Sequence, residues 1–122
     1  MKHSEGFLNL VNDAKSRIRE INVAETRQRI RDDNKAKLID VREDHEWNDA
    51  HARGAIHLGK GIIERDIETT VPDRDAELIL YCGGGYRSAL AADALQKMGY
   101  TNVFSLAGGW KAWKEAGGDI ET

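Results

Sequence analysis

The chain has 122 residues, of which 40% are hydrophobic and 32% charged, with a net charge of -3 and one cysteine. That length suits one domain around a single core, and the slight acidity gives no general drive towards nucleic acid or an anionic membrane. One cysteine excludes an internal disulfide, and without an apolar segment long enough for a signal peptide or a membrane span the expected compartment is a reducing cytoplasm.

Phe7, Val11, Ala14 and Ile18 recur at helical spacing, which predicts an amphipathic helix over Ser4 to Arg19. The helix is expected to pack back on the domain, with a dimer contact or a docking partner as the alternative use of its apolar stripe. Lys15 to Lys37 holds eight Lys and Arg against four acids. With acids interleaved and no aromatic residue between them, this reads as a solvated face rather than a nucleic-acid surface. A short strand is expected over Glu20 to Val23 and a helix over Ala24 to Asp33, anchored by Ile30.

Leu38-Ile39-Asp40-Val41 is a better strand, and Asp40 interrupts its apolar run. A carboxylate there must be hydrogen-bonded or paired, so Asp40 is expected to tie loops together at the strand end. His51 to Leu58 reads as a turn and a short strand, and Ile62 to Thr69 as a helix that Pro72 helps to end. His45, His51 and His57 stand six residues apart. Six is not a helical ligand spacing and no CxxC or HExxH accompanies them, so no metal site is expected.

Leu78 to Tyr81 has no polar alternation, the pattern of a parallel strand covered on both faces. It runs into Cys82-Gly83-Gly84-Gly85-Tyr86-Arg87-Ser88, after which Leu90, Ala91, Ala94, Leu95 and Met98 mark a helix that Gly99 stops. Cys82 therefore sits at the carboxyl end of a central strand, and the loop is the whole link to a helix beginning near Arg87. Consecutive glycines allow the positive φ values that turn amides inward as an anion-binding nest. A thiolate of Cys82 there would be stabilised by the amides, by the positive end of the helix and by the Arg87 guanidinium. Ser88 is placed either to donate to the sulfur or to cap the helix.

Asn102 to Leu106 is the last strand, and Trp110 to Ala116 the last helix, preceded by Gly108-Gly109. Strands and helices alternate, which predicts βαβ units and a mostly parallel sheet. Ligands bind outside the carboxyl ends of such strands. Asp40 to Arg42, the Cys82 loop and Gly108-Gly109 should then share one rim.

These residues resemble the rhodanese-like sulfurtransferase family. The resemblance runs from about Ile21 to Gly118: Leu38-Ile39-Asp40-Val41-Arg42-Glu43 is similar to the family's early strand and turn, His51 to Ile56 to its GHIPGA segment, Cys82 to Ser88 to its active-site loop, and Gly108-Gly109-Trp110 with Ala112-Trp113 to its carboxyl-terminal signature. It implies an α/β fold, with a mostly parallel five-stranded sheet flanked by helices on both faces and an extra N-terminal amphipathic helix. The expected division is a helical extension over residues 1–20 and a rhodanese-like domain over 21–122.

The resemblance further implies a thiosulfate sulfurtransferase type of enzyme that carries a sulfane sulfur as a Cys82 persulfide. Its donor would be thiosulfate or another persulfide, and its acceptor a thiol, cyanide or a protein. Cys82 and Arg87 would be catalytic, Gly83, Gly84, Gly85, Tyr86 and Ser88 would bind the persulfide, and Asp40 and Arg42 would stand behind them. No cofactor is required. Lys60, Arg42 and Trp110 are candidates for the entrance. Four residues separate Cys82 from Arg87, the short loop of the sulfurtransferases, whereas related phosphatase loops place five between Cys and Arg. Alternatives are a docking or regulatory module and, less well supported, a phosphatase or arsenate reductase.

Overall fold

A computed structural model describes residues 2–33 and 35–122. In chain order the elements are α1 (Glu5–Lys15), β1 (Arg19–Ile21), α2 (Val23–Asp33), β2 (Lys37–Asp40), α3 (Asp44–Asp49), β3 (His51–Ala52), β4 (Ile56–His57), α4 (Ile63–Thr70), β5 (Leu78–Tyr81), α5 (Tyr86–Lys97), β6 (Val103–Leu106), α6 (Gly109–Glu115) and β7 (Ile120–Glu121). Five strands form one parallel sheet in the order β1-β6-β5-β2-β4. β5 lies at its centre with all four residues fully buried, as its unbroken apolar run predicts. β3 and β7 make a separate antiparallel pair that the sequence reading does not contain.

Alternation along the strands builds two cores. Ile39, Leu78, Leu80 and Val103 pack with Ile63 and Ile67 of α4 and with Ala91, Ala92 and Leu95 of α5. On the other face Leu38, Ile79, Tyr81 and Phe104 pack with Val23 of α2 and Trp113 of α6. The helices thus cover both faces. Asn22 starts α2, its side-chain oxygen accepting from the Glu25 amide at 2.8 Å.

α1 is shorter than expected and ends at Lys15. Ser4 caps it by accepting from the Phe7 amide. Val11 and Ala14 are buried, and the helix lies along α5 of its own chain. Arg17, just beyond it, donates to both carboxylate oxygens of Asp93 at 3.0 and 2.8 Å, and Gln96 donates to the Arg17 carbonyl. The stripe that could have served a dimer is therefore covered by α5. α3 has no counterpart in the sequence reading, because none of its six residues is buried and an apolar period is missing.

Asp40 is fully buried at the end of β2. It accepts from the Arg42 amide at 2.8 Å, from Arg42 Nε and Nη2, and from the Tyr81 hydroxyl at 2.6 Å. Burial, reinforced by the Asp40 carboxylate, pushes the Tyr81 phenol well above its ordinary range. Replacing Asp40 by Asn would leave the buried Arg42 guanidinium without its counter-charge. The expected loss is about 3 kcal/mol or more in urea unfolding, far above the cost of an exposed carboxylate change such as Asp119→Asn.

Candidate active site

Cys82 leaves the end of β5 and is 1% exposed. Its Sγ accepts from the Gly85 amide at 3.1 Å and lies 3.5 Å from Ser88 Oγ, which shares a 2.8 Å hydrogen bond with Ser105. Gly85 has φ of 98° and stands immediately before α5, so the loop turns there in a conformation that side chains rarely adopt. Tyr86, rather than Arg87, is the first residue of the helix.

The loop carbonyls point the other way. The Trp110 amide donates to the Cys82 carbonyl at 2.7 Å, and the Lys111 amide to the Gly83 carbonyl at 3.2 Å. This requires α6 to approach backbone to backbone, and a Cβ at Gly109 would collide with the Cys82 carbonyl. Gly108-Gly109-Trp110 therefore belongs to the rim as expected, but as a clamp behind the loop.

Arg87, expected to lend positive charge to the sulfur, has a carboxylate partner that the sequence reading does not contain. Its guanidinium makes a two-pronged ion pair with Glu46 of α3, at 2.8 and 3.2 Å, so its hydrogen bonds go to a carboxylate rather than to Sγ. Arg87, by hydrogen bonding and charge, holds the Glu46 carboxyl down at about 2, and Glu46 in turn raises Arg87. Glu46 also accepts from the Glu43 amide, completing a capping box at the start of α3.

Arg42 and Trp110 both take supporting positions, Arg42 in an ion pair and Trp110 against the core. Arg42 is 3% exposed, and its guanidinium binds Asp40 and the Ala50 carbonyl while lying 4.7 Å over the Trp110 ring. Trp110 also stacks on Tyr81. Lys60 and Arg42 both line a depression that also takes in Arg87. His51 and His57 both stack on Trp47, with centroids 3.4 and 4.9 Å away, and His57 Nε2 lies 2.9 Å from the Arg42 carbonyl.

A cavity of about 790 Å³ opens above the loop, lined by Cys82, Gly83, Gly84, Tyr86 and Arg87, by Glu43, His45 and Glu46, and by Lys2, His3, Ser4 and Phe7. The sequence reading found the first group and missed the other two. A capping-box pattern, Glu43 with Glu46 three residues on, was the available signal for α3. Nothing in the sequence marked the residues before α1.

A model of the rhodanese-like domain family matches residues 22–116. The chain belongs to this family. Among its relatives, "Putative sulfurtransferase YtwF" of Bacillus subtilis is 35% identical over 97 residues, covering 80% of this chain and 91% of YtwF. Thiosulfate sulfurtransferase PspE of Escherichia coli is 38% identical over 70 residues, 57% of this chain and 67% of PspE. The chain spans about half, 52%, of another relative, YrkF of Bacillus subtilis. A solved structure from Rhodopseudomonas palustris, described as a protein of unknown function and possible tyrosine phosphatase, superposes with a TM-score of 0.86 at 28% identity and covers 99% of this rhodanese-like chain and 98% of its own. That likeness takes in α1 as well as the family segment.

The Glu46–Arg87 pair has a pH signature. A carboxylate with a lowered pKa stabilises the fold above its ordinary value of 4.5 and loses that contribution as pH falls to about 2. The stability difference between the parent and Glu46→Gln should be full at pH 7, shrink below pH 4.5 and close near pH 2, as read from urea unfolding at each pH.

Proposed function

We propose that this rhodanese-like chain is a sulfurtransferase that moves a sulfane sulfur from thiosulfate or a persulfide to a thiophilic acceptor through a persulfide on Cys82. The observation that carries the reading is the Cys82 sulfur itself, seated at a strand end under an open cavity with the Gly85 amide donating to it at 3.1 Å. Relatives named as sulfurtransferases support the general activity.

In the first half-reaction the Cys82 thiolate attacks the outer sulfur of thiosulfate; the S–S bond breaks, sulfite leaves with its electron pair, and Cys82 keeps the sulfur as a persulfide anion. Gly85 and the other loop amides stabilise that anion, together with the first turn of α5. Arg87, paired with Glu46, ties the start of α5 to α3 at the side of the cavity. In the second half-reaction cyanide, a thiol or a protein nucleophile attacks the outer sulfur, and Cys82 returns as the thiolate. The protein carries the sulfur, so no cofactor takes part.

The phosphatase reading is weaker because only four residues separate Cys82 from Arg87. A phosphoryl group with three oxygens needs a wider cradle than one added sulfur.

Intact mass of the reduced protein, taken before and after thiosulfate, should show gain of one sulfur atom. Cyanide should remove it as thiocyanate, and Cys82→Ser should gain nothing. No gain with thiosulfate or with an organic persulfide would sink the proposal. Cys82-dependent hydrolysis of an aryl phosphate in its place would establish the rival chemistry.

A further inference from the structure

The residues that carry sulfur chemistry lie inside the matched segment, 22–116, but one wall of the cavity does not. Lys2, His3, Ser4 and Phe7 face the Cys82 loop from the start of the chain. The His3 ring meets the Tyr86 ring edge-on with centroids 4.6 Å apart, Phe7 lies 5.1 Å from His3 and 6.3 Å from Tyr86, and the Lys15 ammonium stands 5.2 Å from the Tyr86 centroid. Tyr86 is therefore the junction between the loop and the N-terminal segment.

At about 790 Å³ the cavity falls among those that hold small organic molecules, about 300–1,000 Å³. Thiosulfate would fill little of it. On the N-terminal side the added space is bounded by the rings of His3, Phe7 and Tyr86, and the lining carries both signs of charge, with Lys2 on the N-terminal segment and Glu43 before α3. Glu46 and Arg87 largely neutralise each other by pairing.

We propose that Lys2 to Phe7 and Tyr86 form a selectivity wall that seats the organic part of a small amino-acid-type persulfide and so favours this donor over thiosulfate. The aromatic rings cover the aliphatic arm, while Lys2 and Glu43 face the carboxylate and ammonium of the donor. The transfer balances without a further reagent: the Cys82 thiolate attacks the outer sulfur of R–S–SH, the S–S bond breaks, R–S⁻ leaves with the electron pair, and the proton stays on the sulfur now bound to Cys82.

The inference rests on the sulfurtransferase reading, and its test separates the two. Rates of sulfur loading on Cys82 are measured by intact mass with cysteine persulfide and with thiosulfate, for the parent, His3→Ala, the double variant His3→Ala/Phe7→Ala and Leu10→Ala, the last a change at an exposed position of the same helix. The ratio of the second-order loading rate constant for cysteine persulfide to that for thiosulfate should fall about fivefold in the double variant and by less in His3→Ala, with the change in the donor concentration that gives half-maximal loading rate; Leu10→Ala should keep the parent ratio. His3 lies outside α1 and is not part of its cap, so His3→Ala keeps the comparison available if the double variant fails to fold. A ratio that stays put, or equal losses for both donors, overturns the selectivity wall while leaving sulfur transfer intact. A parent that neither donor loads overturns both.

Discussion

The buried carboxylate of Asp40 is the constraint from which the active rim follows. With no exposure to water it must find every partner within the protein, and it finds them in Arg42 and Tyr81. Each partner then fixes another segment. Arg42 reaches the Ala50 carbonyl at the end of α3, and its guanidinium supports the Trp110 ring at the start of α6. The Tyr81 hydroxyl accepts from the Ala52 amide and so holds β3. Trp110 and Lys111 bind the carbonyls of Cys82 and Gly83. One satisfied charge thus orients the strand ends, the α6 clamp and the base of the reactive loop.

The electrostatics of the sulfur follow from that geometry. Arg87 is tied to Glu46, and the pair places little net charge beside Cys82. Fixed backbone dipoles therefore stand ready for a sulfur anion: the Gly85 amide at 3.1 Å and the N-terminus of α5. Dipoles held by a folded loop need no rearrangement when charge appears on sulfur. The glycines serve this directly. Gly85 adopts the positive φ that the turn needs, and Gly109 permits the close approach that holds the loop from behind.

What could be read in the sequence was whatever leaves a periodic or ordered trace. β5 was legible to the residue because a strand buried on both faces is an apolar run, and α5 because its apolar residues recur over twelve positions. A mostly parallel sheet followed from the alternation of elements, and its five strands from the family resemblance. α3, β3 and β7 were not legible, since elements of two to six residues with few buried side chains leave no period. Of the site, Cys82, the glycines and Ser88 were legible because they are consecutive. Glu46 was not, because its pairing with Arg87 joins positions 41 residues apart. Arg42 and Trp110 carried two readings, entrance or support, because residue type alone does not say whether a cation and an indole face solvent or each other; the Arg42–Asp40 pair and the guanidinium over the indole follow the support reading.

The N-terminal segment adds to this a question of rigidity, which the packing answers. α1 is fastened to α5 by buried Val11 and Ala14, by the doubly bonded Arg17–Asp93 pair and by Gln96 on the Arg17 carbonyl. Asp93 is itself mostly buried, and the Arg17 hydrogen bonds hold its carboxyl below the ordinary range, so the joint stays charged through neutral pH. α5 is the helix whose first turn presents Ser88 to the sulfur and Tyr86 and Arg87 to the cavity. The wall over the cavity and the cradle beneath it are therefore mounted on one helix, and their separation does not depend on a loop closing. Whatever approaches Cys82 through the cavity passes between walls set by that helix, so a segment outside the matched family domain still shapes the access to the sulfur.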